Sequence, residues 1–284
     1  MTIHTALLQG AKLLEDEAVI APRLTAEVLL THALQRERSY LYAHPEEELT
    51  EVAWIHYGRY LHQRMKGKPT QYITGRQEFY GRDFRVTPDV LIPRPETEHL
   101  VEAAIARITS SNGPNDVVVD VGTGSGAIAI TLALETQARV FATDISAAAL
   151  NVAQINAQQF SDRVHFLLGN LVDTFRDRSI DVLVSNPPYV PRTDEPGLQR
   201  EVRDYEPHIA LFAGPTGLEI YEALIAGAAR VLRPQGWLLL ELGYNSLEPV
   251  RAMLQREWSE ITVMHDLAGL PRVIAGRLLY RVSP

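Results

Sequence analysis

Val117-Val118-Val119-Asp120-Val121 runs without a break into Gly122-Thr123-Gly124-Ser125-Gly126, and an alanine- and isoleucine-rich stretch follows from Ala127. A short, β-branched, apolar run reads as a strand buried on both faces. Glycines let the backbone turn tightly and leave bare main chain against which a ligand can lie. A buried strand turning through glycines into a helix opens a βαβ unit and commits the residues after it to a parallel sheet. Strands are accordingly expected at 116–121, 138–143, 163–168, 180–185, 236–242, 260–266 and 272–281. Helices are expected at 125–135, 146–158, 216–232 and 246–257. Only a short loop around Gly269-Leu270-Pro271 separates the last two strands, which must therefore pair antiparallel. The fold class is α/β, mostly parallel with its last strands antiparallel.

The glycine pattern is Gly-x-Gly-x-Gly. It is not the Gly-x-Gly-x-x-Gly dinucleotide fingerprint, and no Gly-Lys-Ser/Thr follows as in a phosphate-binding P-loop. Ser125 lies between Gly124 and Gly126, so the Gly-x-Ser-x-Gly spacing of a nucleophile elbow also fails. The second strand ends on Phe141-Ala142-Thr143-Asp144. An acidic residue about 20 residues past a glycine loop is placed to hold a ribose diol. It equally suits a helix start, since Ser146 and an alanine-rich helix follow. Asp120 either joins the site or ends its strand in solvent.

The fourth strand stops on Ser185-Asn186-Pro187-Pro188-Tyr189. Two prolines forbid further ladder bonds and fix the exit turn. Read alone, this is a strand terminator with a surface tyrosine. Beside a glycine loop it is also an amide, two carbonyls and an aromatic face, a set that suits a planar NH2 group.

Upstream, residues 2–66 read as a small helical bundle, with Pro22 in a first helical turn and Thr50 as a helix cap. His32, His44, His56 and His62 lack ligand spacing and read as structural or solvated. Gly67-Lys68-Pro69 marks a linker, and 77–86 a hairpin turning at Gly81. A helix is expected over about 96–109, with acidic residues in its first turn. The expected division is 1–75 helical, 76–92 hairpin and linker, and 93–284 α/β.

Composition excludes several classes. There is no cysteine among the 284 residues, so disulfides, thiolate metal sites and cysteine nucleophiles are out. Net charge is -8, against a phosphate-gripping surface spread over the whole protein. The first residues do not form a signal peptide, and no apolar run reaches membrane-spanning length, so a cytoplasmic location is expected. No metal and no membrane contact are expected.

Together, Asp120–Gly126, Asp144 and Asn186-Pro187-Pro188-Tyr189 resemble the class I S-adenosylmethionine-dependent methyltransferases that act on a planar amide or exocyclic amine. Within that set the chain resembles the glutamine N5-methyltransferases of class I peptide-chain release factors. The likeness spans nearly the whole chain: the helical N-terminal part, Ile92-Pro93-Arg94-Pro95-Glu96-Thr97-Glu98, Glu201-Val202-Arg203-Asp204-Tyr205-Glu206-Pro207, Gly214–Leu218 and Asp266–Gly269. It implies a Rossmann-like sheet and S-adenosyl-L-methionine as cofactor. The acceptor it implies is the glutamine of a Gly-Gly-Gln tripeptide in a release factor, with the helical domain helping to dock that protein. It assigns Gly122, Thr123, Gly124, Ser125, Gly126, Asp144 and Asn186 to the cofactor, and Asn186, Pro187, Pro188 and Tyr189 to the glutamine; Leu171 is expected to pack on the cofactor's base in place of the family's ring. One departure stands out. Many relatives carry Asp-Trp where this chain has Asn170-Leu171, so the acid and ring near the adenine are replaced.

An amide nitrogen is a poor nucleophile because its lone pair is delocalised into the carbonyl, so it needs positioning more than a strong base. The Asn186 side-chain oxygen and the Pro187 carbonyl can accept its two hydrogens, with Tyr189 stacked on the amide plane. The proton then leaves to water; no residue stands out as a dedicated base. Two rival acceptors share the motif: a ribosomal-protein glutamine, and an adenine or cytosine flipped out of DNA. The acidic balance and the lack of a basic base-reading domain count against the second.

Overall fold

The computed structural model describes residues 1–110, 116–161 and 163–279. The chain forms two compact units, one of Met1–Arg76 with Gln199–Tyr205, the other of Gln77–Leu198 with Glu206–Pro284.

The first unit opens with α1 (Ile3–Asp16), α2 (Pro22–Leu34), α3 (Arg38–Ala43), α4 (Glu51–Met65) and α5 (Thr70–Thr74). Thr2 and Thr50 cap α1 and α4 by accepting from Thr5 N and Ala53 N, and Pro22 occupies the first turn of α2. Ile3, Leu14, Leu29, Leu30 and Tyr57 fill the core. At Gly10, α1 passes so close to the Tyr57 phenol that any Cβ would overlap it. His32 and His56 lie against the Tyr60 ring and His44 against Tyr40, as expected of structural histidines.

The second unit begins as the hairpin β1 (Arg76–Phe79) and β2 (Arg82–Arg85), turning at Tyr80-Gly81. A 3-10 turn at Pro95–Thr97 leads into α6 (Glu98–Ser110). Then come β3 (Val117–Val121), α7 (Ala127–Glu135), β4 (Arg139–Asp144), α8 (Ala147–Phe160), β5 (Val164–Leu168), β6 (Ile180–Ser185) and the short β7 (Val190–Pro191). The next segment, α9 (Arg200–Tyr205), belongs to the first unit. There Glu201 pairs with Arg64 at 2.5 Å, and the Tyr205 hydroxyl donates to the Lys66 carbonyl at 3.0 Å. No helix is expected here from the sequence, and the structure forms a helical turn. The chain continues through α10 (His208–Leu211), β8 (Phe212–Gly214), α11 (Glu219–Val231), β9 (Leu232–Glu241), α12 (Leu247–Leu254), β10 (Trp258–His265) and β11 (Pro271–Leu278). Positions 280 and 281, expected to end the last strand, lie outside the described residues.

Seven strands form one sheet in the order β10-β11-β9-β6-β3-β4-β5. The five strands from β9 to β5 pair parallel, and β11 is antiparallel to both β9 and β10. Side chains alternate across it, as strand geometry requires. Val118, Val182, Val184 and Leu239 face α6 and α7, whereas Val119, Leu183, Leu238 and Leu240 face α11 and α12. Strand β9 starts at Leu232, four residues before the expected strand. Arg233-Pro234-Gln235-Gly236 reads as a turn, and its pairing with β6 is in fact irregular there. From β3 the chain winds one way to β4 and β5, then returns to place β6 on the other side. That reversal opens a crevice at the carboxyl ends of β3 and β6, where ligands of such sheets bind.

Asn156 of α8 braces this crevice from behind. It is fully buried, donates to Ser125 O at 2.8 Å and to Arg85 O at 3.0 Å, and accepts from Arg85 N at 2.8 Å. It thereby joins the glycine turn to the hairpin. Asn156→Ala should lower unfolding free energy in urea by about 2–4 kcal/mol, because it orphans an N–H and two carbonyls.

Candidate active site

The C-terminal ends of β3, β4 and β6 wall a pocket of about 220 Å³. Gly122 and Gly124 form its floor. Both have positive φ (75° and 54°), and nothing lies within 4 Å of where a Cβ would stand. The space above them is open, and only glycine takes this path without strain. Gly126 differs: with φ 82°, a Cβ there would come within 3.1 Å of Ala153 Cβ, so its role is the close approach of α7 and α8. Thr123 and Ser125 are buried and shape the turn. Of the five glycine-loop residues, Gly122 and Gly124 line the pocket; Thr123, Ser125 and Gly126 lie behind.

Asp144 lines the pocket at the tip of β4. Its Oδ2 accepts from Gly124 N at 2.9 Å and its Oδ1 from Ser146 N at 2.8 Å. Ser146 is the cap of α8. The carboxylate thus ties the glycine loop to the start of α8, and with about four acceptor sites it keeps lone pairs for a diol. Leu171 and Asn170 complete this wall, Leu171 at positive φ (48°) with its carbonyl accepting from Thr143 Oγ1 at 3.1 Å. The apolar lining continues with Val90, Leu91, Ile145, Ile209 and Phe212, none of which the sequence singled out.

Asp120 is not a solvated strand end. It is wholly buried and its Oδ2 accepts from the Thr123 hydroxyl at 2.6 Å, while its Oδ1 has no partner. Burial pushes its carboxyl up from 3.8 to about 7.

Asn186, Pro187 and Pro188 form the remaining wall. Ser185 Oγ donates to Val121 O at 2.7 Å and locks the ends of β6 and β3 side by side. Asn186 Nδ2 donates to Thr97 Oγ1 at 3.1 Å, which leaves its Oδ1 as the free edge of the amide. Tyr189 stands outside the pocket lining and rests on the start of the loop after β9. A Cβ on Gly243 would come within 2.6 Å of its ring, so this contact requires glycine. Burial raises the Tyr189 phenol to about 12, so it stays neutral at physiological pH. Behind Thr97 lies Glu241, the buried last residue of β9, its carboxyl pushed by burial up to about 7 and its Oε2 without a hydrogen-bond partner. Thr97, which holds Asn186, and the buried carboxyl of Glu241 were not singled out from the sequence. The one trace in sequence is a carboxylate ending the apolar run Trp237-Leu238-Leu239-Leu240.

Two family models match: the PrmC N-terminal domain over residues 5–75, and the methyltransferase small domain over residues 101–199. A release factor glutamine methyltransferase of Koribacter versatilis is 45% identical over 282 residues, covering 98% of this chain and 99% of that protein. Another from Moorella thermoacetica is 44% identical over 277 residues, covering 96% and 97%. Among solved structures, a methyltransferase of Pyrococcus furiosus superposes with a TM-score of 0.52 at 18% identity, over 71% of this chain and 91% of that one. That likeness concerns the fold alone.

Asp120 and Glu241 both hold protons in the folded state that the unfolded chain releases above its ordinary carboxyl range. Stability should therefore fall as pH rises from about 4 towards 7 and level off beyond it. Asp120→Asn should flatten part of that slope in urea titrations at pH 5 and 7; an unchanged slope would mean Asp120 ionises normally.

Proposed function

The chain belongs to the release factor glutamine methyltransferases, and from that membership we propose how its own residues carry out the reaction. The methyl group comes from S-adenosylmethionine and goes to the side-chain amide nitrogen of the glutamine in the Gly-Gly-Gln tripeptide of class I release factors. The observation that carries this reading is the meeting of Asn186-Pro187-Pro188 with the glycine floor and Asp144 in one pocket.

The donor set suits the cofactor. Unfilled space over Gly122 and Gly124 accommodates its amino-acid arm, and Asp144 offers acceptors for its ribose hydroxyls. Leu171 provides an apolar surface for the base, and Asn170 an amide in place of the acid that many relatives carry. Bound there, the cofactor supplies an electrophilic methyl group on a sulfonium.

The chain's part is to orient the nucleophile. Asn186 Oδ1 and the Pro187 carbonyl accept the two hydrogens of the glutamine amide and turn its lone pair out of plane towards the methyl. Held acceptors also stabilise the positive charge that develops on nitrogen. Pro188 stiffens the turn, and Tyr189, braced on Gly243, sets the tilt of the amide. The surplus proton leaves to water. The helical unit, 1–75 in our division, docks the release factor; the hairpin spans 76–92 and the methyltransferase domain 93–284. No helix among the described residues is long and apolar enough to cross a membrane, and the reaction belongs where translation factors work, in the cytoplasm.

Labelled methyl transfer to purified release factor, ribosomal protein and DNA, run side by side, tests this. Label should reach release factor alone and be lost, by about a hundredfold or more, in Asn186→Ala with cofactor affinity little changed. Label on ribosomal protein or DNA instead, or turnover of Asn186→Ala within about tenfold of wild type, would overturn it.

A further inference from the structure

Two stretches far apart in sequence supply much of the pocket's apolar lining. One gives Val90 and Leu91, from a segment with no helix or strand between 86 and 94. The other gives Ile209, Ala210 and Phe212, from the four-residue α10 and the start of β8. Neither belongs to the seven-stranded sheet, so neither is held in register by it.

A single side chain joins them. Glu206 stands just before Pro207 and α10, and is 4% exposed. Its Oε1 accepts from Arg94 Nη2 at 2.6 Å and its Oε2 from Ile92 N at 3.3 Å. Both oxygens thus grip the first stretch, one through a side chain and one through the backbone next to Leu91. Pro207, at φ -65°, stiffens the path from the carboxylate to α10. Glu206, Arg94 and Ile92 all lie in the second unit. A carboxylate buried this deeply is costly unless charge-assisted bonds satisfy it. An apolar contact at this place would be easier to bury, but it would leave the two stretches free to slide. Two bonds to one carboxylate fix distance and direction at once.

The spacing matters because of what lines the pocket. Among the described residues, Phe212 is the only aromatic ring in the lining. The base of the cofactor therefore depends on close apolar contact rather than on stacking between rings. Such contact falls off steeply: a gap of about 0.5–1 Å forfeits a quarter to a half of it. We propose that Glu206 and Arg94 form a clasp that sets the spacing of these two stretches, and through it the affinity for the cofactor. Neither side chain lines the pocket, so both are positioning residues. The proposal rests on the reading that this pocket takes S-adenosylmethionine. The acceptor wall is set separately, since Asn186 and its prolines leave β6, which Ser185 locks to β3. The clasp therefore acts on cofactor binding and leaves methyl transfer unchanged once cofactor is saturating.

The test pairs calorimetry of S-adenosylhomocysteine binding with steady-state methyl transfer to a purified class I release factor, each variant being checked for folding by circular dichroism. Glu206→Gln keeps the shape but sets an NH2 against one of the two donors. It should raise the Kd for S-adenosylhomocysteine and the KM for S-adenosylmethionine by about tenfold or more. Its kcat at saturating cofactor should stay within about threefold of wild type. Arg94→Met should act in the same direction; Arg94 is only partly buried, so this variant keeps the test open where Glu206→Gln fails to fold. The double variant should bind no more than about threefold worse than the weaker single, because one interaction is lost only once. Wild-type affinity in both single variants overturns the clasp. So does a fall in kcat at saturating cofactor with affinity unchanged, which would place the effect on the acceptor wall, and so do fully additive losses in the double variant. If the wild-type protein itself binds no S-adenosylhomocysteine, the reading of the pocket falls and the clasp with it; if it binds and the variants match it, the clasp alone falls.

Discussion

Two strand ends are held side by side, and the chemistry depends on it. The Ser185 hydroxyl donates to the Val121 carbonyl, so β6 cannot slide relative to β3 at the point where both leave the sheet. Those two exits carry the two halves of the site: Gly122 and Gly124 from β3, and Asn186 with its prolines from β6. Neither is a site alone. A glycine turn accommodates many ligands, and an Asn-Pro-Pro-Tyr turn ends many strands. The reversal of winding between β3 and β6 turns them into adjoining walls of one pocket.

Rigidity comes from buried polar groups that brace each wall from behind. Asn156 ties the glycine turn to the hairpin, Asp120 holds Thr123, Asp144 joins Gly124 to Ser146, and Thr97 holds Asn186. Each costs desolvation that only good hydrogen bonding offsets. Two buried carboxyls near these braces remain incompletely satisfied, Asp120 at Oδ1 and Glu241 at Oε2, and burial raises both to about 7. A reaction that depends on aiming a weak nucleophile gains from such bracing. Errors of an ångström in the acceptor's position cost rate even when every group is present.

Much of this was legible in the sequence because its signals are local. A β-branched strand running into glycines, an acid at the next strand tip, and prolines after Asn186 each declare themselves within a few residues. The antiparallel end of the sheet followed from one short loop. What stayed hidden was non-local. Thr97 and Glu241 lie far apart in sequence, and nothing near Thr97 announces the carboxylate behind it. The start of β9 was obscured because Arg233-Pro234-Gln235-Gly236 carries turn chemistry inside an irregular strand pair. The helical turn α9 was not expected because Arg200–Tyr205 is charged and carries no apolar stripe; tertiary contacts, Arg64 with Glu201 above all, give it order. Asp120 could be placed on its strand but not in depth, since burial of a strand-end acid depends on the helix that covers it.

The central claim is that Asn186 and Pro187 receive the acceptor amide through their oxygens beside the glycine floor. A crystal structure with S-adenosylhomocysteine and a Gly-Gly-Gln peptide tests it most directly. The glutamine nitrogen should lie about 3 Å from both Asn186 Oδ1 and the Pro187 carbonyl, with the ribose on Asp144. A glutamine bound outside this wall, or a ribose held away from Asp144, would contradict it.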